Sequence, residues 1–397
     1  MKLSLFGYGK TNRAIAERFA PCDIYDDSFE ESGVDSLGNR LLPPRLFDPE
    51  SSDVEVTTPG IPPHHPLIQR ARHLQSEYDF FADSIPYSIW ISGTNGKTTT
   101  TEMIQHLLAP KDSECGGNIG TPLAKLNPKA PIWVLETSSF TLHYTQKAKP
   151  NLYLLLPISE DHISWHGSYE AYIKAKLKPL GALKEKEVAI IPKRFLGTPT
   201  RGTLIGYEDT AELIDYFGME REKIGFLEPF LMDAVMALAV YKILFDEIPY
   251  ERLNEFKIGA HKIEEFTDGL GRLWVDDSKA TNVDAANEAV KRYEGRFVHL
   301  ILGGDDKGAD LTPLFELLEG RSLQIYAIGS NALKIERLAK ERGIACKVCE
   351  RLEKAVEAIR QNLKANEVAL LSPAAASLDQ FSSYKERGDS FKRYALL

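Results

Sequence analysis

The chain has 397 residues, 43% hydrophobic and 26% charged, with a formal net charge of −9. At roughly 100–200 residues per domain that is chain enough for two to four domains. An acidic balance without a basic stripe argues against a nucleic-acid partner. No run approaches the roughly 20 apolar residues of a membrane span, and Leu3–Phe6 is too short for a signal-peptide core, so a soluble cytoplasmic protein without membrane contact is expected.

The first block opens with an apolar strand, 3–6, a turn at Gly7-Tyr8-Gly9 and a helical stretch, Arg13–Phe19. Gly7-x-Gly9-x-x-Asn12 is a dinucleotide fingerprint without its third glycine, weak evidence for an NAD-dependent oxidoreductase. Strands at 23–25 and 54–57 follow, and Pro59–Pro63 is a turn cluster.

The second block starts with a β-type run, 87–92, followed by Gly93-Thr94-Asn95-Gly96-Lys97-Thr98-Thr99 and a helix to Leu108. Backbone N–H groups of such a loop and the helix N-terminus hold phosphate oxygens. Lys97 reaches terminal phosphates and the Thr98 hydroxyl can ligate Mg²⁺. Runs at 131–136 and 152–156 are apolar almost throughout, as in parallel strands buried on both faces. Glu136 ends the first of them, where a carboxylate near a phosphate loop can hold Mg²⁺. Asp161-His162 follows the second. His166 four residues on suggests a zinc pair, but no third histidine is close in sequence to support it. In the helix 169–180, Lys174 and Lys178 share a charged stripe with Glu170. Lys176 faces Tyr172, Ile173 and Leu180, where desolvation disfavours its charged form; a neutral amine can react with CO₂ to give a carbamate.

The third block starts near Gly259, with strands at 273–275, 298–302, 324–328 and 368–371 and helices between them, including 332–342 and 352–363. Alternating strand and helix predicts a parallel, doubly wound sheet. Asp276–Asn282 and Gly303–Lys307 lie at strand ends, where Lys279 and Lys307 suit a dicarboxylate. The four cysteines include Cys346-x-x-Cys349 on a predicted strand with no second ligand pair, which reads as structural rather than as zinc.

The shortened loop Gly93-Thr94-Asn95-Gly96-Lys97-Thr98-Thr99 resembles the ATP loop of the Mur ligases and folylpolyglutamate synthetases. Asp277-Ser278-Lys279-Ala280-Thr281-Asn282 and Leu371-Ser372-Pro373-Ala374-Ala375-Ala376-Ser377-Leu378-Asp379-Gln380-Phe381 resemble motifs of the D-glutamate-adding Mur ligases. What the resemblance implies is a three-domain α/β protein. A Rossmann-like domain over 1–84 would bind the UDP substrate, a P-loop domain over 85–259 ATP, and a Rossmann-like domain over 260–397 the amino acid. The substrates would be ATP, D-glutamate and UDP-N-acetylmuramoyl-L-alanine, joined through an acyl phosphate by a monomer that closes its domains. By the same resemblance Glu136, His162, Thr98 and a carbamylated Lys176 surround Mg²⁺. Lys97, His162 and Lys176 are then the catalytic group. Asp277 and Lys262 join the loop in contacting ATP. Thr11 and Asp27 lie on the uridine side, and Asn118 lies near the reacting phosphates and substrate. Lys279, Thr281, Lys307, Ser377, Leu378 and Tyr384 line the amino-acid site. Two stretches depart from the family pattern. Leu227–Asp233 lacks the usual His-Asn pair and has Asp233 at a second Asn, and Lys262 replaces an arginine, so altered adenine recognition is expected. The rival readings are a folylpolyglutamate synthetase, the NAD-dependent oxidoreductase and a non-catalytic nucleotide-binding protein.

Overall fold

The computed structural model describes residues 2–397, which form three six-stranded sheets. In the first, β1 (Leu3–Phe6), β2 (Asp23–Tyr25), β3 (Gly33–Val34), β4 (Arg40–Leu42), β5 (Val54–Thr57) and β6 (Leu74–Gln75) are ordered β3-β4-β2-β1-β5-β6. All pairings are parallel except β3 with β4. The first helix, Lys10–Phe19, begins directly after Gly9, earlier than the predicted Arg13, because extended Gly9 is its cap and accepts from Arg13 N at 3.0 Å. Asn12 stands where a dinucleotide fold has its third glycine. It is fully buried, and its Nδ2 donates to the carbonyls of Phe6, Gly7 and Val56. The missing glycine is thus a polar clasp between β1 and β5.

The second sheet is wholly parallel, with β7 (Tyr87–Ser92), β8 (Glu114–Gly117), β9 (Ile132–Glu136), β10 (Leu152–Leu155), β11 (Val188–Pro192) and β12 (Thr203–Tyr207) in the order β12-β11-β10-β7-β9-β8. Its central strands are buried along nearly their whole length, as their continuous apolar runs require. The short helix Glu77–Phe80 ties the first sheet to the second. The Asp79 carboxylate accepts from the backbone N–H groups of Gln146, Lys147 and Ala148 at 2.6–2.8 Å, and Tyr78 OH donates to the Glu136 carbonyl at 3.2 Å. Apolar residues of both sheets share one core, and residues 1–256 form one compact unit.

Residues 257–397 form the other. Their sheet contains β13 (Glu264–Thr267), β14 (Leu273–Asp276), β15 (Val298–Gly303), β16 (Leu323–Ile328), β17 (Cys346–Glu350) and β18 (Val368–Leu371), ordered β13-β14-β18-β15-β16-β17. Only the β13–β14 pair is antiparallel. The strands carrying Lys279 and Lys307 at their ends are therefore not neighbours, as the sequence suggested: β18 runs between them. No helix among the described residues is long and apolar enough to cross a membrane.

Candidate active site

In the first unit the candidate residues gather at the carboxyl ends of β7, β9 and β10. The loop 93–96 leaves β7 and enters the helix Lys97–Leu108 through Gly96. At Gly96 φ is +82°, and a Cβ would lie 2.6 Å from Asp233 Oδ1, so glycine is required there on both counts. Asp233, buried on the helix Phe230–Phe245, also accepts from Thr100 Oγ1 at 2.6 Å. The acid in place of the family's second Asn thus bonds to the first turns of the helix Lys97–Leu108 and lies close against Gly96. Leu227, at the other end of the same stretch, is exposed. Thr94 Oγ1 donates to the Ser159 carbonyl at 3.1 Å and lies 2.9 Å from Tyr172 OH, which joins the loop to the helix Tyr169–Ala182.

Lys97 curls back and donates to the carbonyls of Gly93 (2.9 Å) and Thr94 (2.7 Å). Burial lowers its pKa, while Glu136 and Asp161 act to raise it. Lys176 is 1% exposed. Its Nζ donates to the Gly93 carbonyl at 2.7 Å and to Ser92 Oγ at 3.3 Å, and lies 4.8 Å from the centre of the Tyr172 ring. Burial, reinforced by the Lys97 charge, drives its pKa well below the usual lysine range. A depressed pKa favours the neutral amine that carbamylation needs.

Glu136 is buried at the end of β9. Its Oε1 accepts from Asn118 Nδ2 at 2.7 Å, and its backbone carbonyl from Asn118 N at 2.9 Å. Oε2 is buried without a hydrogen-bond partner. An orphaned carboxylate oxygen at the end of β9 suits a hard divalent cation, so these residues fit magnesium. His162 is exposed, at φ +55°, with its backbone N–H held by Asp161 Oδ1 at 2.8 Å and its ring 4.6 Å from that of Phe140.

Two readings of this region change. The third histidine absent from the local sequence arrives from elsewhere. His143, on the helix Ser139–Tyr144, packs with His166, Trp165 and Phe140 in an aromatic cluster. Burial holds His166 down to about 4, hence neutral, with Nε2 3.0 Å from Ser139 Oγ. His143, His162 and His166 are not gathered as ligands of one metal. Lys178 is also not part of a solvated stripe. It is half-buried and donates to the carbonyls of His143 (2.9 Å) and Leu142 (3.4 Å) near the end of that helix, whereas Lys174 is exposed. Lysine near a helix C-terminus meets the orphan carbonyls and the negative end of the dipole.

In the first sheet the strand-end acid held in the turn is Asp26, which accepts from Tyr8 N at 2.6 Å. Asp27 is exposed and pairs with His65 Nε2 at 3.0 Å, while Thr11 lies in the first turn of the helix after β1.

In the second unit the loops after β14, β18 and β15 lie side by side. Asp277 is buried and accepts from Ser372 Oγ (2.7 Å) and Ile263 N (3.2 Å); burial pushes its carboxyl up to about 8. Its carboxylate faces inward here, linking β14 and β18 to the segment that carries Lys262. His261 Nδ1 lies 2.7 Å from Asp276 Oδ2, and Lys279 N donates to the His261 carbonyl at 3.1 Å, which pins that segment to the Asp277–Asn282 loop. Lys279 Nζ lies 5.9 Å from the centre of the Tyr384 ring. Thr281, Lys307 and Leu378 are exposed and Ser377 is buried. Sequence reasoning missed Arg387, 1% exposed on the helix Tyr384–Ala395. Its signal was placement: Arg387, Phe391 and Ala395 recur every fourth residue, on one buried helical face.

Two family models match the chain, the Mur ligase middle domain over residues 91–196 and the Mur ligase glutamate ligase domain over residues 264–375. The UDP-N-acetylmuramoylalanine–D-glutamate ligase of Campylobacter jejuni (strain 81-176) is 56% identical over 99% of this chain and 98% of its own length. The chain belongs to the UDP-N-acetylmuramoylalanine–D-glutamate ligase family. The family member from Helicobacter pylori (strain J99) is 47% identical over the full length of both chains. Among solved structures, MurF ligase from Thermotoga maritima in complex with ADP shares the fold at TM-score 0.58 and 17% identity, over 87% of this chain and 88% of that one.

Proposed function

We propose that this protein joins D-glutamate to UDP-N-acetylmuramoyl-L-alanine at the expense of ATP, in the cytoplasmic synthesis of peptidoglycan precursors. The observation that carries the reading is the convergence of the phosphate loop, the orphaned Glu136 carboxylate and the buried amine of Lys176, in a chain 56% identical over 99% of its length to a ligase of that name. The first sheet is assigned to the UDP end of the substrate, the second to ATP and the third to D-glutamate.

In the first step an oxygen of the L-alanine carboxylate attacks the γ-phosphorus of ATP. The bond from that phosphorus to the β–γ bridging oxygen breaks, leaving ADP and an acyl phosphate. In the second, the D-glutamate amine attacks the acyl carbon. A C–N bond forms, the C–O bond to phosphate breaks, phosphate leaves and the nitrogen gives up a proton. Lys97 exchanges its bonds to the Gly93 and Thr94 carbonyls for phosphate oxygens, adding charge stabilisation as phosphorus is transferred. Thr98, Glu136, His162 and the carbamate of Lys176 would hold magnesium, which supplies positive charge to phosphoryl oxygens when bound. Asn118 orients Glu136. Lys307 and Lys279 provide charge for the two carboxylates of D-glutamate.

The test is ADP release with ATP and each substrate alone and together. Turnover is expected only when UDP-N-acetylmuramoyl-L-alanine and D-glutamate are both present. ADP release indifferent to D-glutamate would overturn the reading.

A further inference from the structure

We propose that Arg387 is a positioning residue of the amino-acid site, a buried guanidinium that sets the spacing of the strand-end loops on which D-glutamate binds. The inference rests on the reading of the third sheet as the D-glutamate site.

Arg387 lies on the buried face of the helix Tyr384–Ala395, one turn in from the Ser383 cap. Its Nε donates to Ser278 Oγ at 2.9 Å and its Nη2 to the Ser278 carbonyl at 2.8 Å, gripping the loop after β14. Both Nη1 and Nη2 donate to the Ala375 carbonyl at 3.1 Å, gripping the loop after β18. The loop after β15 closes over the same group. At Gly304 φ is +143°, and a Cβ there would lie 2.2 Å from the Ala376 carbonyl and 3.3 Å from Arg387 Nη1. One side chain therefore sits among the loops that carry Lys279, Ser377 and Lys307. Ser278 Oγ in turn donates to the Tyr384 carbonyl at 2.8 Å, returning the link to the start of the arginine's own helix.

The partners of Arg387 are carbonyls and a hydroxyl rather than a carboxylate, and Asp379, Asp276 and Asp277 act on it only at longer range. Burial lowers its pKa to about 10, so it stays charged at neutral pH. A structural staple between two loops would need only hydrogen bonds, and burying a charge for that purpose is costly. A cation fixed beneath a site for a dicarboxylate has a second use. It adds attraction for the anionic ligand from a place where water screens it little. A planar fork also fixes the relative orientation of two backbones, which a single ammonium donor cannot do.

Arg387→Lys, which keeps the charge and loses the fork, and Ser278→Ala, which removes the acceptor of Nε together with the hydroxyl's own bond to the Tyr384 carbonyl, are compared with wild type by steady-state kinetics. Each protein's melting temperature is measured alongside. For Arg387→Lys the KM for D-glutamate is expected to rise about tenfold or more while the KM for ATP stays close to wild type, as loss of hydrogen bonds to a charged group predicts. Ser278→Ala is expected to show the same selective rise at a smaller size, and it carries the test if Arg387→Lys does not fold. A lower melting temperature with an unchanged KM for D-glutamate in the folded variants would make Arg387 a staple and overturn the inference. Wild-type turnover independent of D-glutamate would instead overturn the site reading on which it rests.

Discussion

Replacing Lys176 should separate stability from activity. In Lys176→Met the buried amine gives way to an apolar chain of similar volume. Two hydrogen bonds of a neutral amine are lost, each worth about 1 kcal/mol. Neither acceptor is orphaned: the Gly93 carbonyl keeps Lys97 Nζ at 2.9 Å, and Ser92 Oγ keeps its bond to the Thr137 carbonyl at 3.0 Å. Against that loss stands the desolvation that depresses the lysine pKa. That penalty is fully present below the depressed folded-state value and fades as pH rises towards the unfolded value near 10.4, because the unfolded chain binds the extra proton in that window. The variant should therefore fold with stability within about 2 kcal/mol of wild type at neutral pH, gaining most at low pH. Activity should behave differently. Carbamylation joins the amine nitrogen to CO₂ and releases one proton; the remaining N–H still serves the Gly93 carbonyl, and the new anion can hold a cation. Losing such a preorganised charge costs about 10²–10³-fold in turnover. Thermal melts and ADP release in bicarbonate-containing and CO₂-depleted buffer test this. Depletion should slow the wild type reversibly and leave Lys176→Met unaffected. In Lys176→Ala, acetate should restore part of the activity by occupying the emptied anion position. Near wild-type turnover by folded Lys176→Met would refute the reasoning.

Three further outcomes are expected. Lys307→Ala should raise the KM for D-glutamate by about tenfold, through loss of one charged partner, with the KM for ATP little changed; an unaltered KM for D-glutamate would move the site elsewhere. Because Leu227 is exposed, Asp233 is committed to Thr100 and Lys262 lacks the planar face of arginine, GTP should support measurable ligation, and strict dependence on ATP would show that other groups read adenine. Glu77 is buried against the 123–125 turn, and burial pushes its carboxyl up to about 8. The folded chain then holds a proton that the unfolded chain releases above about pH 4, so this contribution is full at low pH and is lost as pH rises through 8. Glu77→Gln should flatten the fall in melting temperature between those limits, and an unchanged slope would place the titration elsewhere.

What could be read from the sequence was local. Continuous apolar runs marked the strands of the second sheet, because a strand buried on both faces can carry little else. The loop 93–99 declared phosphate chemistry because its spacing and its glycines are properties of a few adjacent residues. The apolar neighbours of Lys176 announced its buried face one helical turn at a time. Tertiary structure decided whatever depends on partners distant in sequence. It put β18 between β14 and β15, so the lysine-bearing loops flank the loop of Ser377. It brought His143 to His166, set Lys178 on the carbonyls of another helix, and placed Asp233 against Gly96. It also turned Asn12 from a failed glycine into a clasp and gave Arg387 its four hydrogen bonds. Strand order and the partner of a buried polar group follow from global packing and the need to satisfy every buried donor and acceptor. A periodicity or a motif carries no information about residues a hundred positions away.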